Sequence, residues 1–515
     1  MEEEEEEEEE ASEASLAREE AVCGEIERAL VAWAVSKGAD VSRIEWPVDD
    51  GYGGRKVMTR GVVEAGTPFV RVPEALMMTE SMAMRGAFGE ELLRRNVRGD
   101  AALALFVLFE AKKGEASEFY PYLRSLPGEP GTICDWSSEE LEELWDHELV
   151  DKAEARNKFL EETYERIFFS ERNNSNDVLS DRDWFDRKRF RYAWQIVQSR
   201  AFGRRLKESA LVPLADLLNH SEGADTSYDL KDGVFSMCPT SQTVQGEALN
   251  RYGVCASNAK LLLDYGFATE NNSRDEIRLP VSCFDFFPLD DTHFSQRKRH
   301  LLSKFGKPHF TAFRLTAIAD PTKDSAFDIL KVSLAAAETL EYLQRHGLSN
   351  EYDPSALRAL ISLLDDLLSN LGQHAPDDTP QLKSLEATLQ NLSAMNLPRL
   401  DDAKWFWQDS SENLLVVENN KGEEEVSSKK KKNDDDDNRS SSSQKKKSAN
   451  DVYAALRLRR DTCRRLFALR YRRTRLHIAQ AARAHVAALL PPDDNTSLSN
   501  SHSSRETEEE DEGGE

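Results

Sequence analysis

The sequence predicts an α+β fold over its first half, in which short strands bracket a helical insertion, followed by an all-α second half. Two observations carry this. Short apolar runs punctuated by glycine and proline lie between Asp50 and Pro73 and again between Leu211 and Pro280, while the interval between them is helically patterned. From about Phe286 onward only helical patterning remains. At 515 residues, two or three domains are expected. The ends stand apart: residues 1–20, with nine consecutive glutamates from Glu2 to Glu10, carry a net charge of −11, and residues 491–515 carry −8, out of −27 in all. Both ends are expected to be solvated, disordered acidic tails, open to basic partners.

Taken in order, Ile26, Leu30, Trp33 and Ala34 recur at helical spacing and Gly38 is placed to stop that helix. Asp50–Val57 (DGYGGRKV) reads as a glycine-rich turn, which can let backbone approach a ligand closely, and Thr67–Pro73 as a short strand ended by proline. The insertion spans about 100–195. Ala101 to Gly114 is apolar on most faces; Ser137 and Glu140 form a capping box for a helix carrying Leu141, Leu144, Trp145 and Leu149; a third helix runs near Asp183–Ser199 with Phe190, Trp194 and Val197 on one side. Short strands then return, punctuated by Gly223, Gly233, Gly246 and Gly253. Helices follow at Leu301–Phe305, Ala326–Tyr342, Ala356–Leu371 and Leu382–Leu392. Residues 421–450, made of EEE, KKKK, DDDD, SSSS and KKK runs, predict a disordered insertion. Asp451–Arg483 is a basic helix of ten arginines and two acids with a buried stripe of Phe467, Tyr471, Ile478 and Ala482. Its arginines could neutralise the acidic tails; no aromatic platform or recognition motif points to nucleic acid. The expected domains are therefore 21–285 and 286–490, flanked by tails.

Six cysteines without a CxxC pair fit a reducing compartment and neither a zinc site nor a disulfide framework. No run approaches 18 apolar residues, and the first residues have neither a cationic start nor an apolar core, so a nuclear or cytoplasmic protein is expected, with no membrane partner.

Chemistry concentrates between Ser199 and Asn272. Asn219-His220 ends the apolar run Leu211–Leu218. A lone histidine there is more often structural; no second His or Cys sits at ligand spacing, and GxSxG and GxGxxG are both absent. What remains is Arg200, Asp216, Asn219, His220 and several tyrosines, whose hydroxyls suit an amine in an apolar slot, where a lysine pKa falls.

The ordered set is more specific than its parts. SRAF (Ser199–Phe202), PLADLLNHS (Pro213–Ser221), GE (Gly246-Glu247), YG (Tyr252-Gly253), SNAKLLLDYGF (Ser257–Phe267) and ENNSRD (Glu270–Asp275) together resemble SET-domain protein methyltransferases, and more narrowly the Rubisco large-subunit lysine methyltransferase type. Phe119–Leu123 (FYPYL), Leu126-Pro127 and Tyr471–Leu489 fit the same subfamily. The resemblance implies a SET domain with its helical insertion, a helical substrate-binding domain, S-adenosylmethionine as cofactor and a protein substrate presenting a lysine to a monomeric enzyme. It implies that Gly51, Tyr52, Gly53, Arg200, Asn219, His220 and Tyr265 bind the cofactor. Arg204, Asp216, Tyr228 and Tyr265 would face the substrate, and Tyr252 would be catalytic, with no metal. The implied reaction is an in-line displacement of methyl from a sulfonium to a neutral lysine amine. A relative in the subfamily methylates a histidine of actin; Arg200–Phe202 and Asp264–Phe267 keep the lysine-type form. Two departures stand out: Arg55-Lys56 follow the first turn, and Asn250-Arg251 occupy apolar positions in the strand that delivers Tyr252. Other readings of the chain are a silent SET-like scaffold binding a basic partner and a nucleic-acid binder using its arginine-rich helix.

Overall fold

The computed structural model describes residues 24–490 except 51–53, 170–177, 204, 243–244, 254–255, 271, 288–291, 349–352, 373–377 and 395–438. The expected tails, and residues 421–438 of the expected disordered insertion, lie outside the described residues. Two compact units divide the chain: Met1–Asn272 with Asp377–Tyr471, and Ser273–Pro376 with Arg472–Glu515.

The first unit is built of small sheets. Ile44–Asp49 pairs antiparallel with Arg55–Thr59. Val70–Pro73, Val234–Pro239 and Thr226–Lys231 form a three-stranded antiparallel sheet, with Val234–Pro239 in the middle. Asp232-Gly233, both at positive φ (51° and 74°), make the tight turn of its hairpin, the conformation an Asp-Gly pair adopts most readily. Met78–Thr79 pairs with Ala210–Leu211. The insertion leaves through one strand of that pair and returns through the other, so it spans Glu80 to Arg200 and begins earlier than expected.

Within the insertion, Gly99–Lys112 is apolar all round and buried continuously from Ala101 to Leu108, as a helix without a polar face must be. The capping box at Ser137 and Glu140 is present. The single helix expected after it is two, Ser138–Glu142 and His147–Phe168: the chain turns at Trp145 (φ 50°) and restarts with Asp146 accepting from the Leu149 N–H. Helix Arg187–Arg200 follows, and its Phe190 and Val197 are buried.

The second unit has its own apolar core, in which Phe313, Phe327, Leu357, Leu360 and Ile478 are buried. Helices alone were expected beyond Phe286, but Phe310–Leu315 is a strand, paired antiparallel with Ile277–Ser282. That pairing draws Ile277–Ser282 into the second unit, so the division falls at Asn272/Ser273 rather than near 285. The helix expected over Ala326–Tyr342 breaks at Ala335-Ala336 into Ser325–Leu334 and Ala337–His346.

Residues 439–450, expected within the disordered insertion, are the first turns of helix Arg439–Ala488; lysine, glutamine and alanine there are good helix formers. The stripe expected on this helix is buried at Tyr471, Ile478 and Ala482. Arg464 and Arg470 pair with Glu140 and Glu386 in the first unit, at 2.8 and 3.0 Å, and Arg483 pairs with Asp365 in the second. Acids of the folded body therefore take up part of the arginine face.

Candidate active site

Asn219-His220 is a two-residue strand lying parallel to Leu249-Asn250. The Ser221 N–H extends the pairing to the Asn250 carbonyl at 3.0 Å. On its other side this second strand is tied to Arg55–Thr59, because the Ala248 N–H donates to the Val57 carbonyl at 2.7 Å. The Asn219 amide completes the junction, donating to the Arg55 carbonyl at 2.9 Å and to Glu247 Oε1 at 3.0 Å. The strand that follows the glycine-rich turn, the Asn-His pair and the strand leading to Tyr252 therefore lie side by side. The polar residues Asn250 and Arg251 are accommodated there: Asn250 Oδ1 accepts from Thr226 Oγ1 at 3.2 Å, and Arg251 donates to the Ala224 carbonyl at 2.9 Å.

Two hydrogen bonds fix Tyr252. Its backbone N–H donates to His220 Nδ1 at 3.0 Å, and its hydroxyl donates to the Leu218 carbonyl at 2.6 Å. Accepting at Nδ1 puts the proton of neutral His220 on Nε2. That nitrogen is buried with no hydrogen-bond partner among the described residues. Burial lowers the His220 pKa below its usual value, against a smaller opposing pull from Glu222. Burial also pushes the Tyr252 phenol well above the usual tyrosine value, so it is a hydrogen-bond donor at neutral pH and not a base. Tyr265, its ring 4.8 Å from that of Tyr252, is pushed up to about 12 by burial. Phe267 closes the group, with ring centroids 5.9 Å from His220 and 6.2 Å from Tyr252.

Arg200 is the last residue of its helix and reaches Asp216, donating to its carbonyl at 3.0 Å and approaching Oδ2 at 3.5 Å. Asp216 sits in a short turn entered through Leu214, whose φ of 70° is rare for a residue with a Cβ and is held by a buried side chain. Burial raises the Asp216 pKa, with Arg200 pulling the other way. Oδ2 accepts from the Tyr122 hydroxyl at 2.9 Å; Oδ1 is buried without a partner among the described residues. A cavity of about 80 Å³ opens here, lined by Arg200, Asp216, Leu218, Tyr228, Tyr252 and Tyr265 among others. Tyr228 is oriented by Phe202, edge-on at 5.0 Å, and by Phe235, stacked at 5.4 Å.

Helix Asn258–Tyr265 ends on Gly266 at φ 81°, where a Cβ would lie 2.5 Å from the Gly131 backbone. Asn258 is wholly buried; it bonds Thr269 through both ends of its amide and also accepts from Asn272. These bonds close the loop that carries Phe267.

Of the residues singled out by sequence, Arg200, Asp216, Tyr228, Tyr252 and Tyr265 share one cavity, and Asn219 and His220 hold the adjoining strand. Gly51, Tyr52, Gly53 and Arg204 lie outside the described residues. Tyr122, Asn258, Phe267 and Asn272 had been assigned no individual role. Tyr122 was legible in part, since a tyrosine inside the apolar FYPYL run must find a partner for its hydroxyl. Among the described residues no three His, Cys, Asp or Glu side chains converge as a metal site.

Solved structures share this architecture. Over 74% of the chain it superposes on the SET domain of LSMT bound to lysine and AdoHcy, covering 91% of that chain, with a TM-score of 0.52 at 19% identity. Rubisco LSMT bound to AdoMet gives a TM-score of 0.54 at 19% identity, covering 74% of this chain and 90% of that one. The chain has the SET-domain fold. No protein-family model matches this SET-fold chain. Among curated proteins, it is 31% identical over 208 residues to a chloroplastic [fructose-bisphosphate aldolase]-lysine N-methyltransferase of Arabidopsis thaliana (38% of this chain, 42% of the relative). It is 32% identical over 208 residues to the chloroplastic ribulose-1,5-bisphosphate carboxylase/oxygenase large subunit N-methyltransferase of Pisum sativum (37% and 41%). It is 25% identical over 330 residues to an actin-histidine N-methyltransferase of Danio rerio (61% and 53%). The chain thus spans about half, or less, of the length of the curated relatives it matches.

Proposed function

We propose that this chain is an S-adenosylmethionine-dependent protein methyltransferase whose acceptor is a lysine side chain. The observation that carries the reading is the cavity at Tyr252, where aromatic rings and a backbone carbonyl surround a space suited to a narrow aliphatic amine.

The donor set fits the cofactor. Asp216 Oδ1 and His220 Nε2 are a buried acceptor and a buried donor awaiting partners, and a molecule with an ammonium group and a nitrogen-rich ring supplies both. Arg200, Asp216, Asn219, His220 and Phe267 would hold it. When bound, it supplies a methyl group already activated on a positively charged sulfur.

The protein's own contribution is positional. Aligning two reactants can be worth roughly 7–11 kcal/mol of the barrier. Tyr228, Tyr252 and Tyr265 would line the path of the amine and exclude water from it. Desolvation in this slot lowers the amine pKa, which favours the neutral nucleophile. The proton leaves through solvent before docking, since neither Tyr252 nor Tyr265 ionises near neutral pH.

Lysine is preferred over histidine on sequence similarity. The lysine-type relatives match at 31–32% identity against 25% for the zebrafish actin-histidine type.

The test uses the full chain with tritiated S-adenosylmethionine and a proteome extract, followed by peptide mapping. Label on lysine, lost in Tyr252→Phe, supports the proposal. Label on histidine overturns the choice of acceptor, and no label with no cofactor-induced thermal shift overturns the enzyme.

A further inference from the structure

The strand that delivers Tyr252 carries two polar residues at apolar positions, and the fold absorbs them unequally. The Asn250 side chain accepts from the Thr226 hydroxyl at 3.2 Å. Arg251 is exposed; among the described residues it makes one hydrogen bond, from Nη2 to the Ala224 carbonyl at 2.9 Å, and no ion pair. A guanidinium carries several N–H donors in a planar fork, so most of this one stays open.

Its position gives that opening a consequence. Arg251 lies on the wall of the cavity of about 80 Å³, with Tyr228, Tyr252 and Tyr265. The other cation on this wall, Arg200, is matched by Asp216 at 3.5 Å. Arg251 has no such match. Asp225 feels it only weakly, since its carboxyl is held low first by the Thr240 and Ser241 hydroxyls, with Arg251 the last contributor. The charge nevertheless reaches into the site. Burial keeps His220 neutral against the pull of Glu222, and Arg251 adds to burial.

An unmatched cation here repels both an incoming ammonium and a sulfonium. A substrate that brings its own anion removes the penalty and gains an attraction. A carboxylate fits the open edge of a guanidinium through two parallel N–H···O bonds. Extended chain advances about 3.3 Å per residue, so a carboxylate that reaches the wall of so small a cavity must stand close in sequence to the acceptor. A neutral or basic neighbour leaves Arg251 unmatched, and the two are told apart by charge.

We propose that Arg251 determines specificity by selecting acceptors with an aspartate or glutamate within about two residues of the methylated side chain. The proposal rests on the methyltransferase reading and names the substrate class of that site.

The test takes the full chain, tritiated S-adenosylmethionine and a proteome extract, and maps the labelled residues. Their near neighbours should be richer in Asp and Glu than those of unlabelled residues of the same type in the same proteins. Peptides copied from the labelled sites then serve as probes, each beside a version with the acid replaced by its amide. For wild type the amide version should raise KM by about threefold to tenfold, with kcat kept. Arg251→Gln should erase that difference, Arg251→Lys should keep most of it, and Arg251→Glu should reverse it in favour of peptides with a lysine in place of the acid. The S-adenosylmethionine thermal shift should be the same in all four proteins. Labelled sites without acidic neighbours, or an acid-to-amide difference that survives in Arg251→Gln, overturn the proposal. A thermal shift lost in Arg251→Gln also overturns it, by giving the guanidinium to the cofactor's own carboxylate. Should Arg251→Glu not fold, the comparison of Arg251→Gln with Arg251→Lys decides, and equal losses in both overturn it. No label from wild type ends the methyltransferase reading and this proposal with it, whereas label without acidic neighbours ends this proposal alone.

Discussion

The Tyr122 hydroxyl donates to Asp216 Oδ2 at 2.9 Å, joining residues 94 positions apart. Tyr122 is fully buried on the short insertion helix Tyr120–Ser125, while Asp216 lies in the turn just before Asn219-His220. The insertion thereby helps set the orientation of a buried carboxylate on the wall of the cavity. Tyr122→Phe keeps the ring and removes that donor. A buried acceptor left short of a partner costs about 1–3 kcal/mol, so the urea midpoint should fall by a corresponding amount. Methyl incorporation should fall further than stability does, because Asp216 is then held by Arg200 alone at 3.5 Å. Unchanged activity in a stable Tyr122→Phe protein would show that the orientation of Asp216 is immaterial.

That relationship marks how far the sequence could be read. The strands around Val70–Pro73 and the helix Gly99–Lys112 were visible because their periodicity is local. The cluster of Arg200, Asp216, Asn219, His220, Tyr228, Tyr252 and Tyr265 was visible through motif order. Tyr122 acquires its meaning only through a contact across 94 residues, which no local pattern encodes. The break at Trp145 was hidden because the apolar spacing of Leu141, Leu144 and Leu149 continues through it, and positive φ at a tryptophan has no composition signal. Phe310–Leu315 was missed because strand and helix are hard to separate in a short apolar run whose partner, Ile277–Ser282, lies well upstream.

His220 should impose a pH dependence. Its folded-state pKa lies below the usual value near 6.5 because burial disfavours the cation. Between that lowered value and about 6.5 the unfolded chain binds a proton that the folded chain does not, so stability is lost as pH falls through this window and is fully present above it. Protonation would also put a donor at Nδ1 opposite the Tyr252 N–H, replacing an attraction by a clash of two donors. Urea midpoints measured from pH 8 to 5 should therefore decline more steeply in wild type than in His220→Gln. Parallel curves would remove His220 from the titration.

Gly266 tests the loop behind the aromatic group. Its φ of 81° suits glycine, and a Cβ there would come within 2.5 Å of the Gly131 carbonyl carbon. The conformation alone costs a non-glycine residue about 1–3 kcal/mol, and the contact adds to it by moving either Gly131 or the Tyr265–Phe267 segment. Gly266→Ala should lower the melting temperature and weaken S-adenosylmethionine binding together, since Phe267 packs on His220. A thermal loss with undiminished cofactor affinity would mean that the segment near Gly131 yields instead.

Tyr252→Phe addresses the chemistry. The phenol gives its only proton to the Leu218 carbonyl at 2.6 Å and is raised well above the usual tyrosine pKa by burial, so it turns its oxygen to the cavity as an oriented acceptor for an amine N–H. Removing one preorganised hydrogen-bonding group from a reacting centre costs about 10²–10³ in kcat, and a loss of that order is expected here with the cofactor affinity largely kept, because the backbone N–H to His220 survives the substitution. The pH dependence separates a positioning role from a basic one. If Tyr252 only orients the amine, log(kcat/KM) for wild type and Tyr252→Phe should run parallel between about pH 7 and 9.5, both following the acceptor amine. A limb present in wild type and absent in the variant would instead identify the phenolate as the base, and would contradict the raised pKa on which the assignment as a neutral, protonated hydroxyl stands.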